Sequence, residues 1–161
     1  MAVPDFVLAL RKKIGHEPLW LSGATAVIFG QDGILLIRRA DDGEWSPVTG
    51  VVDPGEEPAD TAVREAMEEA GVTIAVERLA SIGVTDPITY PNGDVSQYVD
   101  HTFRCRYVSG EPRFDGEETT DARWFPLDAM PEMRPHFVRR IESARATDGP
   151  AEFGSQAETS R

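Results

Sequence analysis

Three glutamates, Glu65, Glu68 and Glu69, stand at i, i+3 and i+4 of a stretch whose apolar pattern predicts a helix. Side chains so spaced share one helix face, so the spacing gathers three carboxylates into one patch. Each like-charged pair costs an isolated helix roughly 0.2–0.5 kcal/mol, and Arg64, four residues before Glu68, is the local counter-charge. Local stability does not select such a patch. A divalent cation would remove the repulsion, and an all-oxygen ligand set points to a hard ion such as magnesium or manganese. A merely solvated acidic face is the alternative at this level. His16, His101 and His136 are scattered without metal spacing and are assigned structural roles.

Ala59, Ala62, Val63, Ala66, Met67 and Ala70 recur at helical spacing after Pro58, with Gly71 as a stop. This apolar stripe is complete without any acid, which places the carboxylates opposite the buried face. Around it, Ala24–Phe29 and Ile34–Ile37 flank Gly30, Gln31, Asp32 and Gly33 and read as a hairpin. The runs 72–76, 79–84 and 98–108 read as strands, with 122–125 as a short further one, and Asn92-Gly93 within the YPNGD of residues 90–94 marks a turn. Cys105 alternates with Phe103 and Tyr107 and belongs to the core. An amphipathic leading helix is expected over residues 2–14 and a closing helix around Met133, Phe137, Val138 and Ile141.

The 161 residues suit one domain over 1–145, with 146–161 expected as a disordered tail because it is small and polar apart from Phe153. Sixteen Lys and Arg against 28 Asp and Glu give a net charge of −12, which argues against a nucleic-acid backbone as partner. One cysteine forms no internal disulfide, and Phe6–Leu10 is too short to span a membrane; a cytoplasmic protein with no membrane partner is expected. A homodimer is left open, with the leading helix as its candidate contact.

The segment GVVDPGEEPADTAVREAMEEAGV, Gly50–Val72, resembles the Nudix box: Gly50, Glu56, Arg64, Glu65, Glu68, Glu69 and Gly71 match its fixed positions, and Ala66 and Val72 its apolar slots. The chain therefore resembles the Nudix hydrolases, which cleave a nucleoside diphosphate linked to another group. The resemblance implies an α+β fold, an α/β/α sandwich with a mixed, mostly antiparallel sheet. It assigns metal ligation to Glu65, Glu68, Glu69 and the Gly50 carbonyl, support to Glu56, and an ion pair with the box acids to Arg64. The implied cofactor is Mg2+ or Mn2+, and the implied partner is a small nucleotide substrate.

The chemistry follows from charge. A diphosphate approaching an anionic protein is repelled, and a cation bridging carboxylate and phosphate oxygens neutralises that charge. A carboxylate near the bound water takes its proton; Glu65 is the first choice, and a loop acid among Asp115, Glu117 and Glu118, with Glu118 favoured, is the alternative. The resemblance puts a substrate-phosphate contact on Arg39, against the reading of a strand-end arginine in water. Trp45 is a candidate for stacking on a base, against packing on the sheet. YPNGD is similar to a segment of small bacterial members related to ADP-ribose pyrophosphatases. Thr49 stands where many members have Gly, which makes a different loop shape and substrate preference the expected consequence. ADP-ribose or a similar nucleoside diphosphate sugar is the lead substrate class. A nucleoside triphosphate pyrophosphatase and a nucleotide-sensing module without turnover are the alternatives.

Overall fold

The apolar runs at 24–29 and 34–37 sit at the centre of a sheet that is covered on both faces, which is why neither shows polar alternation. The computed structural model describes residues 3–154. Among them, eight strands form one sheet: β1 (Leu19–Gly30), β2 (Gly33–Arg39), β3 (Trp45–Ser46), β4 (Val48–Val51), β5 (Thr73–Val84), β6 (Ile88–Thr89), β7 (Val95–Ser109) and β8 (Thr119–Phe125). The helices are α1 (Asp5–Ile14), α2 (Pro58–Ala70) and α3 (Pro135–Arg145). The main strand order is β3-β2-β1-β7-β5, with β4 beside β1, β6 beside β7 and β8 beside β2. Only β1 and β7 run parallel; the other pairs are antiparallel, so the sheet is mixed.

Strand parity divides the core into two layers. Ala24, Ala26, Ile28, Leu35 and Ile37 face Ala62, Ala66 and Ala70 of α2. Val27, Ile34 and Leu36, the intervening residues, face Ile141 and Ala144 of α3. The result is the expected α/β/α sandwich. Cys105 is fully buried in the α2 layer. None of the described helices is long and apolar enough to cross a membrane.

The local signals hold with shifted edges. The β1–β2 hairpin closes on Gly30 and Gly33, and Gly33 has φ +115° with the Phe125 backbone against its Cα, so a side chain there is excluded twice over. Helix α2 starts at Pro58 and stops at Gly71, whose left-handed backbone (φ 69°) lets its own N–H reach the Met67 carbonyl and the following Val72 N–H reach that of Ala66. Pro4 caps α1 from outside instead of lying in its first turn, and residue 2 is outside the described residues. The runs 72–76 and 79–84 join into the single strand β5, which absorbs its irregularities as bulges against β7. The tail expected from 146 onward takes a defined path as far as 154. Glu152 donates its N–H to the Ala80 carbonyl (2.8 Å) and accepts from the Ile82 N–H (2.9 Å), because the outer edge of β5 has free backbone groups to pair. Residues 155–161 of that expectation lie outside the described residues.

Because Ala66 is fully buried between α2 and the sheet, Ala66→Leu forces the helix outward. Chemical denaturation is expected to show a loss of about 1–3 kcal/mol. A variant as stable as the parent would mean that α2 is not held at close range.

Candidate active site

Short side chains bring α2 close to the sheet, and that closeness decides where its acids go. Thr61, Glu65 and Glu69 form a row beside Ala62, Ala66 and Ala70, and all six are buried. Glu65 is 6% and Glu69 4% exposed, whereas Val63 is 38% and Met67 43% exposed. The apolar periodicity had put the acids opposite the buried face; the structure corrects this. With alanines on one row and no side chain on Gly50 of β4, the helix settles low enough to enclose the neighbouring carboxylates. Glu68 alone of the three points to water.

Gly50 is the floor of this arrangement. A Cβ built on it would collide with the carboxyl group of Glu65. Gly50 itself is pinned by the β1–β4 pairing opposite Ala24. The main chain of β4 and the Glu65 carboxyl are thus in contact only because residue 50 is Gly.

Arg64 organises the acids around it. Its Nε and Nη2 fork onto the two oxygens of Glu56, both at 3.0 Å, and its Nη1 donates to Glu65 Oε1 (2.8 Å) and Glu68 Oε2 (3.1 Å). Glu56 Oε2 also accepts from the Thr61 hydroxyl at 2.7 Å, which ties the loop after β4 to the first turn of α2. The Arg64 guanidinium holds the Glu56 carboxyl down at about 2.

Glu69 has no such relief. Its Oε2 is buried without a hydrogen-bond partner. Burial first, then the charges of Glu65 and Glu118, push its carboxyl up to about 9. Burial likewise raises Glu65 to about 7, against the pull of Arg64. A buried acid with an orphaned oxygen is expensive unless something positive satisfies it. Among the described residues no three His, Cys, Asp or Glu side chains form a ready-made metal cage. The orphaned Glu69 oxygen and the all-oxygen surroundings nevertheless fit a hard divalent cation.

Glu118 arrives from the loop before β8. Asp115 Oδ1 accepts the N–H groups of Glu117, Glu118 and Thr119, all at 2.9 Å, which shapes that loop. Glu118 lines the same cleft as Arg64, Glu65 and Glu68. Thr119, a residue the sequence reading passed over, is fully buried and donates its hydroxyl to the Glu69 carbonyl (3.1 Å), fastening the loop to α2. A threonine opening a strand is common, so its type alone gave no signal.

Arg39 lies across the β2–β8 pair from Thr119 and is close enough for its charge to bear on Glu69. Its guanidinium is forked onto Asp41. Trp45 is not brought to the acids. It pairs with Arg38, whose side of β2 is the α3 side, and packs in that layer with its ring edge-on to Phe125 at 4.8 Å. Strand parity therefore overturns base stacking beside the box and leaves Trp45 a packing role.

The model of the NUDIX domain matches residues 20–144. A Bacillus subtilis (strain 168) protein named, provisionally, an 8-oxo-dGTP diphosphatase is 32% identical over 125 residues, spanning 76% of this chain and 78% of that protein. The NAD-capped RNA hydrolase NudC of Pseudomonas aeruginosa (strain LESB58) is 36% identical over 105 residues, 63% of this chain but 34% of NudC, so the chain spans about a third of that relative. The crystal structure of an ADP-ribose pyrophosphatase from Streptococcus suis 89-1591 superposes with a TM-score of 0.60 at 25% identity, covering 83% of this chain and 98% of that one.

Two measurements test the site. The ordinary carboxyl value is 4.5, and Glu65 and Glu69 are raised to about 7 and about 9 in the folded protein. Between these values the folded state keeps protons that the unfolded state has released, so stability falls as pH rises through the window. In chelator, the melting temperature is expected to drop from pH 7 to pH 9, with a shallower drop in Glu69→Gln; equal slopes would remove the buried-acid account. Gly50→Ala displaces the Glu65 carboxyl, and turnover is expected to fall by roughly 10²-fold, the scale of a 1 Å misplacement. Unchanged turnover in that variant would show that the contact is incidental.

Proposed function

The chain belongs to the NUDIX domain family, whose members are hydrolases acting on phosphoric anhydrides, and from that premise we propose that it cleaves the diphosphate bridge of a nucleoside diphosphate derivative, with ADP-ribose as lead substrate. The observation that carries the reading is the orphaned Glu69 oxygen, buried one helix turn from Glu65, whose own carboxyl lies against Gly50. Glu65, Glu68, Glu69 and the Gly50 carbonyl would hold Mg2+. Held there, the ion would supply positive charge against the diphosphate and make a bound water more acidic.

The residues of the chain divide the remaining work. Glu56 and Arg64 keep the acids in register through the fork and the two further donations of the guanidinium. Glu65 or Glu118 accepts the proton of the attacking water, and both line the cleft that the diphosphate must enter. Arg39, beside the acids on β2, is the cation available to a substrate phosphate if Asp41 yields it. The water oxygen bonds to one phosphorus as the bond from that phosphorus to the bridging oxygen breaks; the bridging oxygen leaves on the other phosphate, and the proton taken by the carboxylate passes on to solvent.

The ADP-ribose assignment is supported by the likeness to the Streptococcus suis structure. The likeness to the Bacillus subtilis protein favours a second reading, a nucleoside triphosphate pyrophosphatase. The box residues touch only metal and phosphate, so they do not separate these two readings. The complete acid set speaks against a sensing module without turnover.

Magnesium-dependent product analysis over a nucleotide panel decides among them. AMP released from ADP-ribose is the expected result. Pyrophosphate released from a triphosphate would favour the second reading, and binding without turnover the third. Glu69→Gln is expected to lose at least about 100-fold in turnover, the upper range for losing an outer partner of a metal site, while keeping its fold. Of Glu65→Gln and Glu118→Gln, the one lacking the base loses roughly 10²–10⁴-fold in kcat.

A further inference from the structure

Helix α1 is nearly detached from the rest of the protein. Of its ten residues only Val7 is buried, and Leu8 and Leu10 are exposed. A helix this short does not persist in water by itself, so its place depends on its anchors. The main anchor besides Val7 is Arg11, whose side chain is 9% exposed. Its Nη1 donates to the carbonyls of Gly15 (3.1 Å) and Glu17 (2.6 Å), closing the end of the helix. Its Nη2 donates to the Val95 carbonyl (2.6 Å) and the Ser96 hydroxyl (3.1 Å) at the start of β7. Asp94 adds an ion pair to Arg11 Nε at 3.5 Å and a hydrogen bond to His16 Nδ1 at 2.8 Å.

Asp94 is held ready for this by its own turn. Asn92 donates its side-chain amide to Asp94 Oδ2 (2.9 Å) and accepts the Asp94 N–H (3.1 Å). The 90–94 turn is therefore more than a reversal of the chain: it is the receptor on which α1 is latched.

The other end of the strap reaches the catalytic cleft. A cavity of about 240 Å³ is lined by Val3, Pro4 and Asp5 together with Arg64, Glu65 and Glu118 among others. Val3, 50% exposed, is apolar surface at the rim of an acidic cleft. We propose that Val3 and Pro4 form a substrate-binding wall, against which the ring beyond the diphosphate rests, and that Arg11 with the 90–94 turn positions that wall through α1. The proposal rests on the cleft being the diphosphate site. It makes Arg11, remote from the acids, a positioning residue for substrate affinity and leaves the chemical step to α2.

The test compares wild type, Arg11→Met and Val3→Gly in magnesium-dependent ADP-ribose hydrolysis, with hydrogen exchange followed across α1, β1 and β7. Arg11→Met is expected to lose amide protection over 5–14 while β1 and β7 keep theirs. Both variants should raise KM about fivefold, the scale of half-burying a valine, with kcat within about twofold of wild type. An unchanged KM in Val3→Gly, or in Arg11→Met with α1 demonstrably loosened, would overturn the wall. A fall in kcat at unchanged KM would overturn it too. If wild type turns over no nucleotide, the hydrolytic reading falls instead, and calorimetric Kd values for ADP-ribose with magnesium carry the same three-way comparison.

Discussion

The whole arrangement depends on two carboxylates, Glu65 and Glu69, held out of water on the inner side of α2. Everything nearby either permits that burial or offsets its cost. The alanine row and Gly50 permit it by letting helix and strand approach until the Glu65 carboxyl lies on main chain. Arg64 and Glu56 offset it for Glu65, and Thr119 secures the far end of the helix. Glu69 keeps an oxygen with no hydrogen-bond partner, a local conflict of the kind that marks functional sites. Stability is thereby given up at the point where a cation and an anionic substrate would restore it.

The two-layer division of the sheet gives each face a separate task. The α2 face carries the acids, while the α3 face takes Trp45 and Phe125 into an ordinary apolar layer. The sharing is possible because β1 and β2 bury both of their sides, so one pair of strands supports both layers. The parallel β1–β7 pairing at the centre then carries the 90–94 turn to the end of the sheet from which α1 departs.

Much of this was readable from residue types and spacing, and the failures have physical causes. The spacing of Glu65, Glu68 and Glu69, the Pro58 and Gly71 boundaries and the glycine-closed hairpin are local, and local signals survived. Periodicity also marked Val63 and Met67 as buried, but it ranks polarity and says nothing about how close a helix sits, so it turned α2 the wrong way. The two readings of Trp45 stayed open for a similar reason: its face follows from pairing with Arg38, a partner on another strand. The parallel union of β1 with β7 links residues 19–29 to 96–106, and no short pattern encodes a pairing at that distance. Asn92 and Asp94 were readable as a turn, but their hold on Arg11 appears only once both ends of the chain segment are in place.

Arg64 has a consequence of its own. Its guanidinium occupies the electrostatic place of a cation among Glu56, Glu65 and Glu68 before any inorganic ion is needed. Small domains whose ligand cluster has no internal counter-ion fold only as metal arrives. Here the polypeptide brings a covalent surrogate for part of that charge, so folding does not have to wait for the ion. Three of the four acids thus carry their counter-charge from the moment of folding, and an ion is left to satisfy the orphaned oxygen of the fourth, Glu69.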